Sequence, residues 1–103
     1  MQGWIKLHRQ FTEWEWYDDD KCFKLFIHLL LKCNHKKASW RGETIESGEC
    51  ITSLGNLAKE VKMTMQSLRT TLSKLEKTGE INKQSTSKLT RISVCNYKSY
   101  KDW

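Results

Sequence analysis

Apolar and polar positions along this chain repeat with different periods, and three stretches keep the 3.6-residue period of a helix. In residues 64–79, Met65, Leu68, Leu72 and Leu75 share one side. Gln66, Thr70, Ser73 and Lys77 fall opposite, with Arg69 and Lys74 flanking them. Thr64 is placed to cap this helix with its hydroxyl, and Gly79 to close it in the left-handed conformation. In residues 54–61, Leu54, Leu57, Ala58 and Val61 recur at i, i+3, i+4, i+7 behind Ser53 as cap. Lys62 and Met63 leave room only for a tight turn between these two helices. The third helix, Lys21 to about Asn34, is the most apolar. Cys22, Phe23, Leu25, Phe26, Ile27, Leu29, Leu30, Leu31 and Cys33 leave a narrow polar stripe of Lys21, Lys24, His28 and Lys32. Such a helix has to be covered on more than one side.

Strand signals are shorter. Glu49–Thr52 reads as a strand leading into Ser53. After Gly79, two runs flank the turn-prone Ser85–Lys88, and in the second Ile92 and Val94 alternate with polar residues, as in a β-hairpin. Residues 34–49 read as a loop. The expected class is therefore α+β, mainly α, in one domain. It comprises an aromatic N-terminal extension (1–17), a helix-turn-helix (53–79), a hairpin wing (80–95) and a tail (96–103) holding Tyr97 and Tyr100. Two helices across a tight turn with a hairpin behind them make a winged helix-turn-helix.

A resemblance narrows this. Leu57-Ala58, Thr64, Leu68, Leu72, Leu75-Glu76-Lys77-Thr78-Gly79 and Ile81 sit where bacterial winged-helix proteins carry their framework motif. The opening residues 3–9, the middle residues 29–35 and the closing Asn96-Tyr97 with Tyr100 also match, so nearly the whole chain resembles the N-terminal domain of phage replisome organisers and DnaD-like primosome proteins. That resemblance implies a role in replication initiation and self-assembly through this domain. In that family a linker and often a second domain follow.

Charge supports a polyanionic partner. The chain has 103 residues and a net charge of +6. Residues 1–53 carry eight Lys/Arg and eight Asp/Glu, whereas residues 54–103 carry ten against four, so the whole excess falls on the helix-turn-helix, wing and tail. The hydrophobic fraction of 38% is that of a folded domain rather than a disordered one. No apolar run approaches the ~20 residues that span a bilayer, and residues 1–8 lack the layout of a secretory signal. A cytoplasmic setting is expected.

The cysteines read as buried fillers in a reducing compartment. Cys22 and Cys33 would lie roughly 16 Å apart on one helix, too far to bridge. Cys50 and Cys95 would be neighbours if, as in winged helices, the strand before the helix-turn-helix pairs with the last wing strand. His28, Cys33, His35 and Cys50 lack the spacing of a structural zinc site. Asp18-Asp19-Asp20 are explained by capping and the helix dipole. No metal, cofactor, small-molecule substrate or enzymatic activity is expected, because no catalytic grouping or glycine-rich phosphate loop is present.

Two functions follow from these features. In the first, duplex DNA meets Thr64, Gln66, Arg69, Thr70, Ser73, Lys74 and Lys77 on the recognition helix and Lys83, Lys88 and Arg91 on the wing. In the second, Trp4, Ile5, Phe11, Trp14, Phe23, Ile27 and Leu30 form a homo-oligomer interface or hold a replisome partner, with little DNA binding. The aromatic residues of the extension equally suit a segment that wraps its own domain. A winged-helix transcriptional regulator shares the fold.

Overall fold

The computed structural model describes residues 5–33, 37–85 and 89–97. Trp4, Lys88, His35 and Tyr100, named above, lie outside them. A 3-10 helix, Arg9–Glu13, precedes α1 (Asp20–Lys32), β1 (Ala38–Trp40), β2 (Glu43–Ile45), β3 (Glu49–Thr52), α2 (Leu54–Val61), α3 (Met65–Lys77), β4 (Ile81–Ser85) and β5 (Thr90–Val94). The class is α+β, with three α-helices and two small antiparallel sheets, β1-β2 and β3-β5-β4.

Each helix start follows from its cap. Asp19 accepts from the backbone N–H groups of Lys21 and Cys22, both at 3.1 Å. Ser53 Oγ accepts from Asn56 N–H at 3.1 Å, and Thr64 Oγ1 from Ser67 N–H at 3.1 Å. The turn between α2 and α3 closes because Lys62 adopts the left-handed conformation, φ 58°, and Met63 N–H returns to Ala58 C=O at 3.0 Å. Gly79, φ +81°, ends α3 as expected.

One core joins the three helices to the larger sheet. Leu25, Phe26, Leu29 and Leu30 of α1 meet Leu57 and Val61 of α2, Leu68, Leu72 and Leu75 of α3, and Ile81 and Ile92 of the sheet. All are fully buried, and each such side chain contributes on the order of 1.5–3 kcal/mol. Cys50 of β3 faces this core opposite Ile92 of β5.

Several expectations are corrected. Residues 38–45 form a hairpin, not a loop: Arg41 (φ 49°) and Gly42 (φ 80°) are two successive left-handed residues, the geometry of a tight primed turn. Its strands are three residues each, too short for alternation to register. Met65, assigned to the core, is exposed, and Thr71 takes the inward place. Thr71 can be buried because its hydroxyl donates to Ser67 C=O at 2.7 Å.

The cysteine neighbours also differ. Cys33 and Cys50 are both buried in the one core, whereas Cys95 is only half-buried and accepts from Asn82 Nδ2 at 3.6 Å. The interaction with Cys50, then burial, pushes the Cys33 thiol above its ordinary range. All four cysteines are free.

The N-terminal segment wraps its own domain. Phe11 stacks on Phe23 (centroids 6.2 Å apart) and meets Trp14 edge-on at 5.4 Å, while Trp14 sits 5.1 Å from Phe26. Trp14 Nε1 donates to Glu80 Oε1 at 3.2 Å and Trp16 Nε1 to Thr78 Oγ1 at 2.9 Å. These bonds latch the segment to the chain that leaves α3. The second cover that α1 required is therefore intramolecular.

Candidate nucleic-acid interface

The inward direction of α3 is set by Leu68, Thr71, Leu72 and Leu75. At about 100° per residue, the opposite side carries Gln66, Thr70, Ser73 and Lys77, with Arg69 beside them, and all five are exposed. Gln66 Nε2 lies 3.4 Å from Thr70 Oγ1. Thr64 is exposed at the start, its hydroxyl oxygen engaged as the cap. Among the described residues, Arg69 and Lys77 form no ion pair, and neither do Lys59 and Lys62 on and after α2. The stripe contains no carboxylate; Glu76 borders it on the Arg69 side and lies 3.8 Å from Lys83.

Three of the expected basic contacts are engaged within the chain. Lys74 Nζ pairs with Asp19 Oδ2 at 3.0 Å and sits 5.8 Å from the Trp16 ring centre. Lys83 faces Glu76. Arg91 spans two elements: Nη1 donates to Glu49 Oε1 at 2.8 Å and Thr44 C=O at 3.0 Å, and Nη2 to Glu43 Oε2 at 2.8 Å. It thereby ties the β1-β2 hairpin to β3 and β5. Burial raises the Glu49 carboxyl, but the Glu46 backbone N–H, Arg91 and the Ser93 hydroxyl hold it below its ordinary value of 4.5.

The flanks of α3 are electrically unlike. Beyond Lys74 lies a shallow depression lined by Glu15, Trp16, Asp18, Asp19, Asp20 and Lys21, which repels a phosphate backbone. The Met65 and Arg69 flank, continued by Lys62, is open to one. Sequence reading missed Lys59, although it lies outward on α2 just as Arg69 does on α3. On α1 and α2, Glu60 accepts from His28 (3.0 Å) and Lys32 (3.1 Å), which lower its carboxyl in that order of effect and remove Lys32 from the available cations.

The expected oligomer residues divide. Leu30 is 1% exposed inside its own core and has no surface to offer a second subunit. Ile5, Phe11, Trp14, Phe23 and Ile27 are half-buried, and all but Phe23 are packed on the core cluster. Leu31, expected among the covered apolar positions of α1 and not among the interface residues, is 62% exposed. It falls seven residues after Lys24, on the outward line of α1, a signal present in the sequence. Among the described residues there is no group of three or more His, Cys, Asp or Glu placed to hold a metal, and no helix long and apolar enough to cross a membrane.

No known protein family, curated protein or solved structure matches this chain.

Proposed function

We propose that this chain is a DNA-binding winged-helix module, of the kind used in phage or bacterial replication initiation, that lays the outer face of α3 in the major groove. The observation that carries the reading is the exposed, acid-free stripe Gln66, Arg69, Thr70, Ser73 and Lys77 on a helix whose other side is locked into the core. The order β3, α2, α3, β4, β5, with β3 paired to β5, supports it. Gln66 and Arg69 are the side chains suited to base edges, because the donor and acceptor of the glutamine amide match adenine and the two N–H donors of the guanidinium match the two acceptors of guanine. Lys59, Lys62 and Lys77 are suited to phosphates.

The test is a duplex titration by fluorescence anisotropy at two salt concentrations. Three phosphate contacts give a log–log slope of about −2.7, which is roughly a fortyfold loss between ~50 and ~200 mM salt. Arg69→Ala/Lys77→Ala is expected to bind more weakly and with a shallower slope. Equal affinity and equal slope would remove α3 from the mechanism.

A second reading, an assembly module, is favoured by Leu31 standing exposed beside half-buried Ile27 on α1. Light scattering at tens of micromolar decides it, and a monomer removes the homo-oligomer. Transcriptional regulation would use the same docking; the replication setting rests on the resemblance of the framework motif.

A further inference from the structure

Where the N-terminal segment folds back against the start of β4 it leaves a pocket of about 250 Å³ lined by His8, Gln10, Phe11, Glu13, Trp14 and Glu80. Phe11 and Trp14 meet at 89° and are held from behind by Phe23 and Phe26. The Trp14 indole N–H fixes Glu80 through one carboxylate oxygen. Neither Glu13 nor Glu80 forms an ion pair among the described residues. The pocket lies at the C-terminal end of α3, where the helix dipole adds negative potential.

Two aromatic walls with two unpaired carboxylates suit an alkylammonium or guanidinium group. A phosphate would be repelled, and a neutral apolar ligand would leave both carboxylates without a counter-charge. The same edge continues with exposed Glu15, Asp18 and Asp20 around half-buried Trp16, on a chain whose net charge is +6. Charge is thus segregated, and this edge attracts a basic polypeptide while the outer face of α3 does not. We infer that the Phe11, Trp14 and Glu80 pocket is a binding site for an arginine or lysine side chain of a partner polypeptide, whose other basic residues run along the acidic edge of residues 13–20. The inference stands apart from DNA binding and uses none of the same residues.

The Trp14 indole N–H, bonded to Glu80, is the reporter in nitrogen-15 NMR spectra of the full chain. N-acetyl-arginine amide is expected to shift it and to saturate in the millimolar range. An arginine-rich peptide is expected to bind about tenfold more tightly, and the neutral citrulline analogue to leave the peak in place. Glu13→Gln/Glu80→Gln keeps an oxygen for the indole, and the remaining indole peaks check its fold; its arginine affinity is expected to fall roughly tenfold. Equal shifts with citrulline and arginine, or unchanged affinity in the folded variant, would overturn the site. A peptide binding no tighter than the single blocked arginine would overturn the polypeptide partner, leaving a small organic cation only. A DNA duplex that shifts the Trp14 peak as the peptide does would overturn the assignment of this edge to a basic partner.

Discussion

Lys74 Nζ lies 3.0 Å from Asp19 Oδ2, so a lysine that flanks the outer face of α3 is turned toward the cap of α1. Asp19 already accepts from two backbone N–H groups there, and the bond from Cys22, followed by that from Lys74, holds its carboxyl below its ordinary 3.8. One carboxylate thus starts one helix, anchors a second and withholds a cation from any polyanion.

Asp19→Asn separates these roles. Asparagine caps as well as aspartate, so α1 and its stability are expected to persist. Lys74 is released and a repulsive charge disappears, so duplex affinity is expected to rise and the salt slope to steepen by about one. Anisotropy titrations at two salt concentrations check this, and unchanged affinity would mean that Lys74 does not reach the duplex.

Arg91→Ala is expected to act on stability rather than on DNA. Its guanidinium holds Glu43, Glu49 and the Thr44 carbonyl together, and its loss leaves the half-buried Glu49 with only backbone and hydroxyl donors. The thermal midpoint is expected to drop by several degrees while duplex affinity stays close to wild type. A large affinity loss at unchanged midpoint would return Arg91 to the phosphate contacts.

Gly48 is required twice over. Its φ is +87°, and a Cβ there would lie 2.7 Å from Tyr97 Cβ and 2.9 Å from Tyr97 Cγ. Tyr97 is itself buried and cannot yield freely. Left-handed strain and overpacking together predict a loss of about 2–4 kcal/mol for Gly48→Ala, measured by urea unfolding. A loss below ~1 kcal/mol would show that the tyrosine moves aside.

Acid stability follows from three carboxyls whose pKa is lowered in the folded chain: Asp19, Glu49 and Glu60. A depressed carboxyl contributes stability above its unfolded value, and that contribution is lost as pH falls through the lower, folded value. The ordinary values are 3.8 for Asp19 and 4.5 for both glutamates, so stability contributed by these groups is expected to hold down to about pH 5 and fall below it. Glu49→Gln is expected to flatten that fall. Thermal midpoints measured across pH 3–7 would refute the assignment if the two curves ran parallel.

Much of the fold was legible because its signals are local. Ser53 and Thr64 cap the helices they were expected to cap, and Gly79 ends α3 with φ +81°. The pairing of β3 with β5 joins segments far apart in the chain and was expected only from the usual arrangement of winged helices. Periodicity also placed Gln66, Arg69, Thr70, Ser73 and Lys77 on the outside, since a helix fixes which residues share a face. It missed the β1-β2 hairpin, whose strands are too short to show a period, and it put Met65 inside in place of Thr71, whose hydroxyl is satisfied one turn back.

By itself the sequence determined where the helices start and stop, which faces are apolar and where the positive excess lies, because each depends on residues a few positions apart. Only the tertiary structure decided which charges remain available. Lys74 meets Asp19 across 55 positions, Arg91 meets Glu43 across 48 and Trp14 meets Glu80 across 66. Ion pairs and pockets form between elements. The packing of α1 on α3, with the extension folded against them, brings Lys74 to Asp19 and Trp14 to Glu80, and the contact of β2 with the β3-β5 pair brings Arg91 to Glu43.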